Sequence, residues 1–195
     1  MSKLLCSAAA YGLWLMVPLS QADTDVEIKA NVVNTSCQIS VDNNGLVSLG
    51  TRGIDYFANG VTAEDPYQGG STFYVHVKEC MPVSGKAPSK LTVFFSPLSG
   101  SFATGSTQIF ANDDTTGAKN VGVVIFSVND ANNVYNVMNT DGTPRSSFDV
   151  TAANYADSRY SFYARMQKIQ SGQSIVSGPV KSSVLVSVYY EQAMS

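Results

Sequence analysis

Side chains able to do chemistry are sparse in this chain, and their spacing limits what they can do. Its 195 residues hold one histidine, His76. A serine hydrolase built on it would need a nucleophile elbow, and no Gly-x-Ser-x-Gly occurs. His76 lies in the alternating run FYVHVKEC, so it reads as an ordinary strand residue. Asp113-Asp114 and Asp130 are acidic enough to raise calcium, but the Asp-x-Asp-x-Asp-Gly loop is missing and loop aspartates form turns. Cys37 and Cys80 are not in a Cys-x-x-Cys spacing, which disfavours a metal pair. Tyr56, Tyr67 and Tyr155 are the loop aromatics a glycan would meet, with surface tyrosines of a β-sandwich the plainer reading. No catalytic residue, metal or cofactor is expected, and the function must lie in how the chain is built.

The first residues, MSKLLCSAAAYGLWLMVPLSQA, have the form of a secretory signal peptide. Lys3 supplies the positive start, Ala8–Leu19 the apolar run, and Ser20-Gln21-Ala22 the small-x-small cleavage site. The run is short for a membrane span and no second one appears later in the chain. Residues 1–22 are therefore expected to leave, taking Cys6 and Trp14, the only tryptophan, with them. The remaining chain from Asp23 is large enough for one domain with a real core. Its formal charge moves from −3 to about −4 with the loss of Lys3, without a basic patch, so nucleic acid is not an expected partner. Two cysteines left in a secreted chain are expected to pair, worth roughly 4 kcal/mol for a loop of this length.

Helical periodicity is nearly absent. Strand-like runs recur at Val26–Val33, Gln38–Val41, Leu46–Leu49, Thr72–Val77, Leu91–Phe95, Val121–Val128, Tyr160–Met166 and Val184–Tyr190. Asn44-Gly45, Gly69-Gly70, Ser99-Gly100 and Asp141-Gly142 punctuate them. This pattern predicts an all-β sandwich, with 52–70 and 129–143 as long loops. Two features at the chain ends stand out. In DTDVEIKANVVNTSCQIS the apolar positions Val26, Ile28, Ala30 and Val32 are even, whereas Val33, Cys37 and Ile39 are odd. Either a β-bulge lies between them or the residues before Val33 pack on a different core. At the other end VLVSVYY is apolar enough to need a neighbour on each side. The leading strand of one molecule lying beside the last strand of the next would settle both, and repetition would give an open fibre.

In these features the chain resembles the pilins of chaperone–usher fimbriae, most closely type 1-like minor subunits. The resemblance rests on the alternating start leading into VVNTSCQIS, on FYVHVKEC, on NVGVVIF (Asn120–Phe126), on YSFYARM (Tyr160–Met166), and on Gly178 placed ahead of Tyr190. It implies an incomplete immunoglobulin-like β-sandwich lacking its last strand, with an N-terminal donor strand. The implied organisation is a signal peptide at 1–22, a donor-strand extension at 23–34 and a pilin domain at 35–195. Cys37 and Cys80 would form the disulfide. Val26, Ile28, Ala30 and Val32 would be the donor residues, and Gly178, Val184, Val186, Val188 and Tyr190 one wall of the acceptor groove. The implied partners are a periplasmic pilus chaperone, an outer-membrane usher and neighbouring fimbrial subunits, and the implied destination is a fimbrium on the cell surface that supports adhesion. The chain departs from the family at Ala30, where glycine is usual, and in the tail Glu191–Ser195. Three other readings stand beside this one. A carbohydrate-binding adhesin would need a lectin domain for which residues 23–195 leave no room. A terminator subunit would accept no successor. A secreted enzyme would need a convergent polar site.

Overall fold

The computed structural model describes residues 24–31, 37–80, 88–98, 101–128, 130, 132–151 and 153–192. The expected signal peptide at 1–22, Val32, Val33, Ser99-Gly100 and the tail from Ala193 lie outside the described residues. Strands β1 (Asp25–Asn31), β2 (Gln38–Val41), β3 (Leu46–Ser48), β4 (Ser71–Lys78) and β5 (Pro88–Pro97) come first. They are followed by β6 (Val121–Val128), β7 (Val134–Asn136), β8 (Ser147–Asp149), β9 (Asp157–Lys168) and β10 (Lys181–Gln192). They form two five-stranded sheets, ordered β3-β1-β10-β5-β8 and β2-β4-β9-β6-β7. This is an all-β sandwich, as the alternation predicts, and it is consistent with the immunoglobulin-like kind that the resemblance implies.

Alternation builds the core. Val26 and Ile28 of β1, Val47 of β3, Val93 and Phe95 of β5 and Val184, Val186 and Val188 of β10 are all buried. They meet Phe73, Val75 and Val77 of β4 and Phe162 and Ala164 of β9 from the other sheet. Phe95 bridges the layers, 4.9 Å from the Phe162 ring and 6.4 Å from the Phe73 ring, both pairs edge to face. β6 is buried on both faces, because Ala103 and Ile109 pack on Val124 and Phe126 on its outer side. That is why VGVVIFSV is continuously apolar instead of alternating.

The phase change near Val33 has a simpler cause than either expectation. β1 and β2 belong to opposite sheets. Strands facing one core from opposite sides need not share a phase. Val26 and Ile28 lie in the same core as Cys37 and Val41 of this chain.

The segment 52–70 is not simply loop. Ile54–Asn59 forms a short 3-10 helix ending at Gly60, whose φ of 67° is left-handed. Beyond the helix, residues 62–65 are tied down by Arg165, which is fully buried. Its Nη2 donates to the carbonyls of Thr62 at 2.8 Å and Asp65 at 2.7 Å, and its Nη1 to Gln167 Oε1 at 2.5 Å. Burial of the guanidinium is tolerable because carbonyl oxygens meet it. The stretch 129–143 is not all loop either: β7 lies within it, and β8 comes just after.

Candidate functional site

The last strand has neighbours on both sides, and they are unlike each other. On one side β5 runs antiparallel to it, from Val184 opposite Pro97 to Gln192 opposite Pro88. On the other β1 runs parallel to it, from Asp25 opposite Lys181 to Asn31 opposite Ser187. Every other ladder among the described residues is antiparallel. Within this single chain the strand beside VLVSVYY is its own leading strand.

The expected residues gather here. Val184, Val186 and Val188 are each 0% exposed and point inward. Val26 and Ile28, at 0% and 3%, pack in the same cluster. Ala30 pairs in register with Val186. The bed has a second wall that the sequence does not disclose: β3, antiparallel to β1 from Asp25 opposite Ser48 to Glu27 opposite Leu46. Its Val47 is buried, as is the adjacent Leu49. The turn before β3 passes very close to β1. A Cβ on Gly45 would fall 2.0 Å from the Ile28 carbonyl oxygen, and its φ is +82°. Asn44-Gly45 marks a turn in the sequence, but nothing there ties it to β1.

Gly178 has a plain steric reason. A Cβ there would sit 2.6 Å from the Ala118 nitrogen and 2.7 Å from the Gly117 carbonyl carbon. The two backbones cross, joined by the Ala118 N–H donating to Pro179 O at 2.9 Å. Beside this crossing lies a cleft of about 450 Å³ lined by Thr24, Ile54, Phe57, Val121, Met166 and Val176. Asp113 then fixes the start of β10. Its N–H donates to Lys181 O at 2.6 Å and its carboxylate accepts from the Ser183 N–H at 2.6 Å. It thus prolongs the β5 flank below the point where β5 ends.

Tyr190 anchors the other end. Its hydroxyl donates to Tyr155 O at 2.8 Å and lies 3.0 Å from Cys80 Sγ. Burial pushes its pKa well above the ordinary tyrosine value, and the Tyr160 and Tyr155 side chains add to this. Cys80 is disulfide-bonded to Cys37. The tail begins as strand, with Glu191 opposite Lys90, before a bulge at Gln192.

The remaining candidates are placed elsewhere. His76 Nε2 is 2.7 Å from Asp42 Oδ1 on the outer side of β4. Asp114, Asp130 and Asp141 accept hydrogen bonds from residues two or three further on, which lower their pKa values. They are turn formers. No cluster of three His, Cys, Asp or Glu suited to a metal ion occurs among the described residues. Tyr56 and Tyr67 lie 5.9 Å apart, whereas Tyr155 belongs to the Tyr190 end.

The chain is similar to known proteins. The profile described as "Fimbrial protein" matches residues 26–191. The chain is 42% identical over 171 residues to "Uncharacterized fimbrial-like protein YadK" of Escherichia coli (strain K12), covering 87% of this chain and 86% of that protein. Among solved structures it is similar to the CupB6 tip adhesin from Pseudomonas aeruginosa, with a TM-score of 0.48 and 13% identity. That likeness covers 88% of this chain and only 44% of the adhesin.

Proposed function

The chain belongs to the fimbrial protein family, and from that premise we propose that it is a structural subunit that polymerises by exchanging β1 between neighbouring molecules. One observation carries the reading. The strand seated between β10 and β3 is the first described strand of the chain, and its buried residues Val26 and Ile28 complete the core. With residues 1–22 removed as a signal peptide, this strand can leave without unthreading any other element. The bed it leaves would accept the equivalent strand of another copy, with alternate side chains seated inward and the backbone completing the ladder. Each Val or Ile side chain buried in this way contributes roughly 1.5–3 kcal/mol.

In this reading Val26, Ile28, Ala30 and Val32 are the donated residues. Val184, Val186, Val188, Tyr190 and Gly178 form one wall of the acceptor, and Val47 and Leu49 the other. A periplasmic chaperone and an outer-membrane usher are the partners that would hold and pass on a subunit whose bed is open. The signal peptide delivers the chain to the periplasm, and the fibre on the cell surface supports adhesion. No helix among the described residues is long and apolar enough to cross a membrane. The test is deletion of residues 23–32 in cells making the chaperone, usher and other subunits. The truncated chain should still be recovered with the chaperone and should be missing from fibres. Normal incorporation would remove β1 as the donated strand.

A further inference from the structure

Away from β1 and β10, we propose a saccharide-binding site in the cleft between β8 and the start of β9, one that takes a neutral sugar through its hydroxyl groups.

The cleft has a volume of about 480 Å³, within the range of small-molecule sites. It opens where β8, the edge strand of one sheet, meets the first residues of β9 in the other. Asp149 comes from β8, Asp157 and Arg159 from β9, and Asn154 from the connection between them. Phe148 and Tyr160, whose rings lie 4.3 Å apart, supply its apolar part. No separate lectin domain is needed, because the cleft is part of the sandwich itself.

The two donors are already oriented. Arg159 Cζ lies 4.0 Å over the Tyr74 ring. That stacking fixes the plane of the guanidinium and leaves its N–H edge free to donate. Asn154 Oδ1 accepts from the Thr151 N–H at 2.7 Å and from the Thr151 hydroxyl at 3.2 Å. The amide nitrogen of Asn154 is thereby left as the donor. The two acceptors are unspent: the carboxylates of Asp149 and Asp157 have no hydrogen bond or ion pair among the described residues.

This mixture of charges selects the ligand. An acidic ligand would meet Arg159 but be repelled by both aspartates, and a basic one would be repelled by Arg159. A neutral sugar suffers neither penalty. Its hydroxyls can donate to Asp149 and Asp157 and accept from Arg159, three charge-assisted hydrogen bonds, with a fourth from Asn154. Phe148 and Tyr160 offer the small apolar surface that a sugar's C–H groups need. Because the groups sit on strands and on a pinned turn, little ordering is required when the ligand arrives.

NMR titration of the processed chain, residues 23–195, tests this. The probes are the methyl glycosides of galactose, mannose and N-acetylglucosamine, with N-acetylneuraminic acid and glucosamine as acidic and basic comparisons. At least one neutral glycoside should saturably shift the amide signals of residues 147–149, 154 and 157–160, and both charged sugars should bind more weakly. Asp157→Ala and Arg159→Ala each remove a charge-assisted hydrogen bond and should weaken that binding about tenfold or more. Both variants should keep the thermal midpoint and enter fibres normally, which separates this site from strand exchange. Tyr67→Ala, at an exposed tyrosine outside the cleft, should bind as the unsubstituted chain does. The absence of a saturable shift with all three neutral glycosides would overturn the proposal. So would equal or tighter binding of a charged sugar, or unaltered binding by both cleft variants.

Discussion

β10 is held by two flanks that differ in kind. The β5 flank is long and antiparallel, extended at its start by Asp113 and continued to Gln192. The β1 flank is parallel, stops at Ser187 and is backed only by the three residues of β3. Both bury valines completely: Val93 and Val26 are each 0% exposed. The difference lies in what each strand is attached to. β5 lies between other strands in the chain, whereas β1 is the first described strand. On the function proposed above, with residues 1–22 removed, equal burial leaves β5 integral and β1 detachable.

The largest test of this contrast removes the anchor at the foot of β1's tether. Cys37→Ser should destabilise by about 4 kcal/mol, read as a lower urea midpoint and a lower yield of folded chain. An unchanged midpoint would mean the disulfide holds nothing in place. Next, Gly178→Ala forces a methyl group against the backbone at 117–118 and should cost roughly 2–3 kcal/mol. A neutral result would show that the crossing below β10 can open. The sharpest comparison pairs Val93→Ala with Val26→Ala. The first should cost roughly 2 kcal/mol globally. The second should mainly raise amide exchange within β1, because its cost cannot exceed that of releasing the strand. Matching global losses would make the flanks equivalent. The smallest effect is expected of Tyr190→Phe, about 1 kcal/mol for the lost hydrogen bond. The folded-state pKa of Tyr190 is raised, so its contribution is complete below pH about 10 and lost as pH rises through the folded value. The unsubstituted chain should therefore lose stability more steeply above pH 10 than the Tyr190→Phe variant.

Much of the fold is legible in the sequence, for physical reasons. Alternation marks Gln38–Val41, and continuous apolarity marks Val121–Val128, to the residue. A half-buried strand must alternate, and a doubly covered one must be apolar throughout. β7 and β8 escape because three residues are too few to show a period. The phase change before Cys37 is visible, but a sequence does not say that a chain has crossed between sheets. Gly178 and Tyr190 stand out as a pair. The contacts behind them, with Gly117, Ala118, Cys80 and Tyr155, join parts of the chain far apart in sequence. The second wall at β3 is hidden for the same reason, as is the part Arg165 plays in holding residues 62–65.

The short link between Asn31 and Cys37 also sets odds. A strand on so short a leash meets its own groove at an effective concentration on the order of millimolar. A free strand at micromolar concentration competes at about a thousandfold disadvantage, roughly 4 kcal/mol. On the function proposed above, each copy in dilute solution therefore keeps to itself. A neighbour's strand prevails only where something else supplies a leash of its own, by holding two subunits side by side.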